Sequence, residues 1–152
     1  EKNRDKALIF AADLAHYIAD GHQPFHTILN YDGQLSNQKG IHRRYESTMI
    51  EKYLDEISAL IKPDKIQYVN DPLNFIFTYI SNSNSVADII FDADTFAFNL
   101  SQDREDDEYY RLLWFKTKYI TSIQITKASE DIASMIYSAW IDAGKPDYRL
   151  FN

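Results

Sequence analysis

The four histidines of this chain all lie between residues 16 and 42, and each stands near a possible partner. His16 precedes Asp20 by four positions, and His42 precedes Glu46 by four. On a helix, residues at that spacing share a face and their side chains meet. A histidine and a carboxylate so placed can hold a divalent metal ion between them, and two such pairs point to more than one ion. Between the pairs runs His22-Gln23-Pro24-Phe25-His26, in which His26 follows a proline and has no helical reason to be a histidine. A nitrogen donor there suits a zinc site of nitrogen and oxygen ligands built from facing helices. Taken singly, the pairs have other readings. His16 and Asp20 could form a buried ion pair, and Arg43 and Arg44 could draw His42 and Glu46 into a salt-bridge network. His22 reads equally as a hydrogen-bond partner behind the ligands and as a ligand itself.

The rest of the composition narrows the chemistry. There is no cysteine, so disulfides and thiolate metal sites are excluded. A formal net charge of −7 disfavours tight non-specific binding of nucleic acid, which relies on Lys and Arg to neutralise phosphate. It leaves room for phosphate reached through bound divalent cations, which reverse the local charge. With 152 residues and 45% apolar content the chain suits a single domain, 1–152, with a real core. No apolar run reaches membrane length. The charged opening Glu1-Lys2-Asn3-Arg4-Asp5-Lys6 does not read as a signal peptide.

The elements that must position these residues read as helices, and the expected fold class is all-α. Residues 3–20 place Leu8, Ala12, Ala15 and Ala19 on one face, the inward one, with Gly21 and Pro24 as stops. Residues 27–40 are rich in turn formers and read as a loop. A second helix is expected over 41–61, with Ile50, Leu54, Ile57 and Ile61 inward and Lys62-Pro63 as its end. Asp71-Pro72 reads as a cap and first turn of a helix to about Ile80. Residues 81–85 read as a polar link, and Val86 to Leu100 as a further helix. The acidic run 103–108 suits the start of a last helix, ending near Ala143 before Gly144 and Pro146. β-branched crowding predicts a bend in it near Thr121-Ser122.

The string His16-x-x-x-Asp20-x-His22-Gln23-Pro24-Phe25-His26, followed by His42-x-x-x-Glu46, resembles the trinuclear zinc superfamily. That superfamily comprises the bacterial zinc-dependent phospholipases C and the single-strand-specific nucleases of S-one and P-one type. The specific match covers residues 11–46; Ala139 to Gly144 are weakly similar to the end of the family's last helix. The resemblance implies a multi-helix bundle of that type and up to three Zn2+ ions. His16 and Asp20 would bind one zinc of a close pair, with Asp20 bridging to its neighbour and so carrying the catalytic role. His26, His42 and Glu46 would bind a separate zinc. His22 falls where the nucleases have His and the phospholipases Asn, a non-ligand position in both.

The family's remaining ligands, a free N-terminal tryptophan, two histidines and an aspartate, lie upstream of the matched helix. The expectation is therefore that this chain is the C-terminal portion of a longer enzyme whose upstream segment completes the site. The implied activity is hydrolysis of phosphodiester bonds by zinc-activated water, in a secreted or periplasmic protein. The short loop between His26 and His42, Glu46 in place of aspartate, and the acidic charge lean toward a phospholipid headgroup as substrate. His22 leans toward single-stranded nucleic acid. A non-catalytic helical domain with one structural zinc is the reading from another class.

Overall fold

A computed structural model describes residues 3–147, which are helical with irregular connections and no strand. The all-α class is therefore as the sequence leads one to expect. Helix α1 spans Arg4–His22 and is capped by the Asn3 side chain, which accepts from the Lys6 amide at 2.9 Å. A 3₁₀ turn, Pro24–Thr27, follows it. A helical segment over 41–52 comprises α2 (Ile41–Arg43), a π-helical turn (Arg44–Met49) and α3 (Ile50–Lys52). Then come α4 (Leu54–Leu60), α5 (Pro72–Asn84), α6 (Ala87–Ser101) and α7 (Asp107–Asp142). Helix α7 is the spine, packing on α6 and α1, while α5 packs on α1 and on the 3₁₀ turn.

The core is where the candidate ligands find their support. It gathers Ile90, Ala93 and Ala97 of α6 with Tyr109, Tyr110, Leu113 and Trp114 of α7, and closes on Phe25, Ile41, Tyr45 and Met49. Phe25, Ile41 and Tyr45 are each the immediate predecessor of a candidate ligand: His26, His42 and Glu46. Each ligand thus projects from backbone held by a side chain at most 4% exposed. Burying such a side chain is worth about 1.5–3 kcal/mol, so the backbone beneath the ligands is firmly placed.

Several local expectations are corrected. Gly21 does not stop α1, which runs on to His22 and ends where Gln23 turns extended before Pro24. The glycine instead permits close approach: a Cβ there would lie 2.4 Å from Tyr79 Cε2 of α5. Gly21→Ala should therefore lower stability by about 1–3 kcal/mol through overpacking, partly offset by the ~1 kcal/mol helix preference of alanine. Thermal denaturation reads this, and an unchanged midpoint would show that the Tyr79 ring yields freely. The expected inward face of α1 is not inward either. Leu8 is 58% exposed, and the buried α1 residues are Ile18 and His22.

The helix expected over 41–61 is interrupted twice, by the π turn and at Tyr53, whose ψ of 20° takes it out of helical geometry. In consequence Leu54 points outward at 56% exposure while Ile57 stays in the core. The π turn coincides with a buried polar network. The Arg44 guanidinium is drawn into the interior, donating to Asp94 Oδ1 at 3.0 Å, to the Tyr109 hydroxyl at 3.1 Å and to the Gln38 and Lys39 carbonyls. Tyr109 in turn donates to Asp94, which is fully buried. Burial, reinforced by the Asp94 carboxylate, pushes the Tyr109 phenol far above the usual tyrosine range, so it remains a donor. Gly40, at φ 88°, opens α2 in the left-handed region and leaves room for that guanidinium: a Cβ would stand 2.8 Å from Arg44 Nη1.

Asp71 caps α5 as expected, accepting from the Asn74 amide, with Pro72 at its first position. The helix runs past Ile80 to Asn84, since Ser83 is buried and accepts from Gln124 Nε2 on α7 at 3.0 Å. Asp106 caps α7, which stays helical through Thr121 and Ser122. Their hydroxyls are satisfied there: Thr121 pairs with Tyr45 at 3.0 Å and Ser122 donates to the Lys118 carbonyl. Residues 62–70 lie extended along α7. Their amides at Asp64, Gln67 and Val69 bond Glu130, Ser134 and Ser138, which recur every four residues on one helix face.

Candidate metal centre

Three side chains converge on one point. His26 comes from the 3₁₀ turn, His42 from α2 and Glu46 from the first turn of the π segment. One donor atom from each lies within 4.8 Å of the others. His26 Nε2 is 3.1 Å from His42 Nε2, His42 Nε2 is 2.5 Å from Glu46 Oε2, and His26 Nε2 is 3.6 Å from that same oxygen. Ligand atoms about 2.0–2.2 Å from a tetrahedral zinc stand about 3.3–3.6 Å apart. Two of the three separations are near that edge length, and the third would open by under about 1 Å. Three atoms bearing lone pairs and aimed at one point need protons or a cation between them. The residues thus fit a divalent ion with nitrogen and oxygen ligands, leaving a further coordination position open.

Asp20 and His16 sit beside this group. Asp20 Oδ1 is 3.4 Å from His26 Nδ1, the ring nitrogen turned away from His42, and Asp20 Oδ2 is 3.4 Å from His16 Nε2. The His16 side chain is 71% exposed. The five candidate ligands therefore form one continuous array, with Asp20 between His16 and the convergent three. A carboxylate on the far nitrogen of a ligating histidine orients the ring and raises its basicity. His22 lies elsewhere. It is buried, pairs with Asp131 on α7 at 3.0 Å, and stacks on Tyr79 with ring centroids 4.7 Å apart. Arg44, the suggested salt-bridge partner of Glu46, is directed to Asp94 instead.

Gln23 is a site residue that spacing alone does not reveal. Its Nε2 donates to Glu46 Oε2 at 2.9 Å. Two cavities flank the centre. One of about 470 Å³ is lined by Asp20, His26 and His42 together with Tyr17, Tyr31 and Ile80. The other, about 370 Å³, is walled mainly by Ile50, Ile125, Ala128 and Ile132 and reaches Glu46 from the α7 side. Its polar wall is already satisfied: Tyr45 bonds Thr121, and Gln124 bonds the His22 carbonyl. Burial pushes the Tyr45 phenol up to about 12, so it stays neutral beside Glu46.

No family model, no curated protein and no solved structure matches this chain. Among the described residues, no helix is long and apolar enough to cross a membrane.

Proposed function

We propose that this chain carries the metal centre of a zinc-dependent phosphoesterase, phospholipase C-like, that hydrolyses phosphodiester bonds in a secreted or periplasmic setting. The convergence of His26 Nε2, His42 Nε2 and Glu46 Oε2 carries the reading. Three protein ligands with a further position open is the pattern of catalytic zinc, whereas structural zinc is closed by four. Zinc bound there supplies Lewis acidity and lowers the pKa of bound water to about 7. The chain's own residues do the rest. Glu46 offsets part of the metal charge, Asp20 orients the His26 ring, and the cavity beside His26 and His42 offers room for a phosphate ester. The resemblance adds His16 and Asp20 as ligands of a further zinc pair.

A phospholipid headgroup suits the acidic surface, since a net charge of −7 repels a polyanionic strand at long range. One observation favours the second reading, single-stranded nucleic acid. Tyr17 and Tyr31, 72% and 53% exposed, line the cavity beside His26 and His42 and offer faces for base stacking. The test is hydrolysis by the zinc-loaded full-length gene product of phosphatidylcholine dispersions and of single-stranded DNA. Zinc-dependent cleavage of the lipid is the expected result. Faster cleavage of DNA, falling steeply with salt, would transfer the assignment to the nuclease reading. Bound zinc with no hydrolysis of either would leave a structural zinc domain.

The zinc should also be acid-labile. Imidazole must be deprotonated to ligate, so protons compete with the metal. Dialysis at about pH 4, where free imidazole is protonated, should release the ion, and metal analysis of the dialysed protein measures it. Full retention there would argue against histidine ligation.

A further inference from the structure

Gln23 touches three of the candidate ligands at once. Its backbone amide donates to the Asp20 carbonyl at 3.1 Å, and its own carbonyl accepts from the His26 amide at 3.0 Å. Its side chain spans the gap to the π turn. Oε1 accepts from the Phe25 amide at 2.9 Å, and Nε2 donates to Glu46 Oε2 at 2.9 Å. The orientation of the amide is dictated by its surroundings. The Phe25 N–H can only donate, so it must face Oε1, and Nε2 is thereby turned to the carboxylate.

The oxygen that Gln23 grips is the one facing His42 and His26. A carboxylate oxygen has two lone-pair directions. With Gln23 on one of them, the other is left for a metal between the imidazoles, and the carboxylate is hindered from swinging both oxygens inward. We propose that Gln23 is a positioning residue, which holds Glu46 as a one-oxygen ligand and sets the affinity and geometry of the metal centre. The inference rests on the metal-centre reading above and deepens it. Because the same amide caps the 3₁₀ turn that carries His26, one side chain couples the placement of two ligands from separate elements.

Two substitutions separate this role from a merely structural one. Gln23→Met keeps the length but loses both side-chain bonds. Gln23→Asn keeps an amide able to cap the turn, but is one methylene too short to reach Glu46. Zinc affinity is measured on the full-length gene product by competition with a chromophoric chelator, and ligand geometry from the visible absorption of the Co2+ form. Both variants should raise the zinc Kd about 10–100-fold, the usual cost of losing an outer-shell partner. The Co2+ bands should weaken, as a freed carboxylate raises the coordination number. In a Glu46→Ala background Gln23→Asn, which keeps the cap on the His26 turn, should cost under about threefold, since the link to Glu46 is already gone. An unchanged Kd for Gln23→Asn, or an equal loss with and without Glu46, would overturn the positioning role while leaving the centre in place. Failure of the unsubstituted protein to bind zinc would remove the metal centre itself, and this role with it.

Discussion

His26→Ala is expected to lower zinc content by one ion per chain under mild chelation, with affinity at the proposed centre falling by more than about 100-fold. The bound follows from comparison. Loss of an outer-shell partner costs about 10–100-fold, and His26 supplies a direct donor, Nε2, within reach of both His42 and Glu46. The fold should survive. The His26 side chain is 29% exposed, and its turn is held by the fully buried Phe25 and by the Gln23 cap. Circular dichroism and a thermal melt of the metal-free variant check that, while metal analysis after dialysis against a weak chelator reads the loss. Unchanged stoichiometry in a folded His26→Ala protein would rule out the site.

Asp94→Ala is the second large effect, and it acts on stability. Asp94 is fully buried and accepts from Arg44, Gln38 and Tyr109, with Arg104 at 3.4 Å. Removing it leaves the buried guanidinium of Arg44 without a counter-charge. Breaking such a pair from one side costs about 3–5 kcal/mol, chiefly because the surviving charge is uncompensated. At about 2–4 °C per kcal/mol for a domain of this size, the midpoint should fall by roughly 6–20 °C. Urea denaturation gives the free energy directly. The effect should extend to the proposed metal centre, since Arg44 stands between His42 and Glu46 and its anchorage accompanies the π turn. Arg104→Ala should cost far less, because Arg44 still balances the carboxylate. A loss under about 1 kcal/mol for Asp94→Ala would show that the network is solvated rather than sealed.

The helix starts illustrate what was legible without coordinates. Asp71 caps α5 with Pro72 at its first position, and Asp107 and Glu108 stand in the first turn of α7, as expected, because such start signals act within three or four residues. The His42–Glu46 contact was legible for the same reason: a four-residue spacing becomes proximity on any helix. The inward faces were less so. Leu8 and Leu54 have core-like types and spacing yet are exposed, because which side of a helix is covered depends on where its neighbours dock.

Local sequence by itself determined the all-α class, most helix beginnings and the two His-carboxylate pairs, all of which rest on interactions within a turn or so of helix. Tertiary structure decided the remainder. Arg44 finds its counter-ion at Asp94 on α6, and the π turn accompanies that choice. Ser83 is drawn into helix α5 by Gln124 on α7, and His22 is claimed by Asp131 on the same helix. His26 joins His42 and Glu46 because Phe25, Ile41 and Tyr45 bury themselves in one core, which brings a 3₁₀ turn against a separate helix. Apolar burial is non-directional and roughly proportional to area. It draws these elements together from any distance along the chain, so a spacing rule cannot foresee which donors will meet.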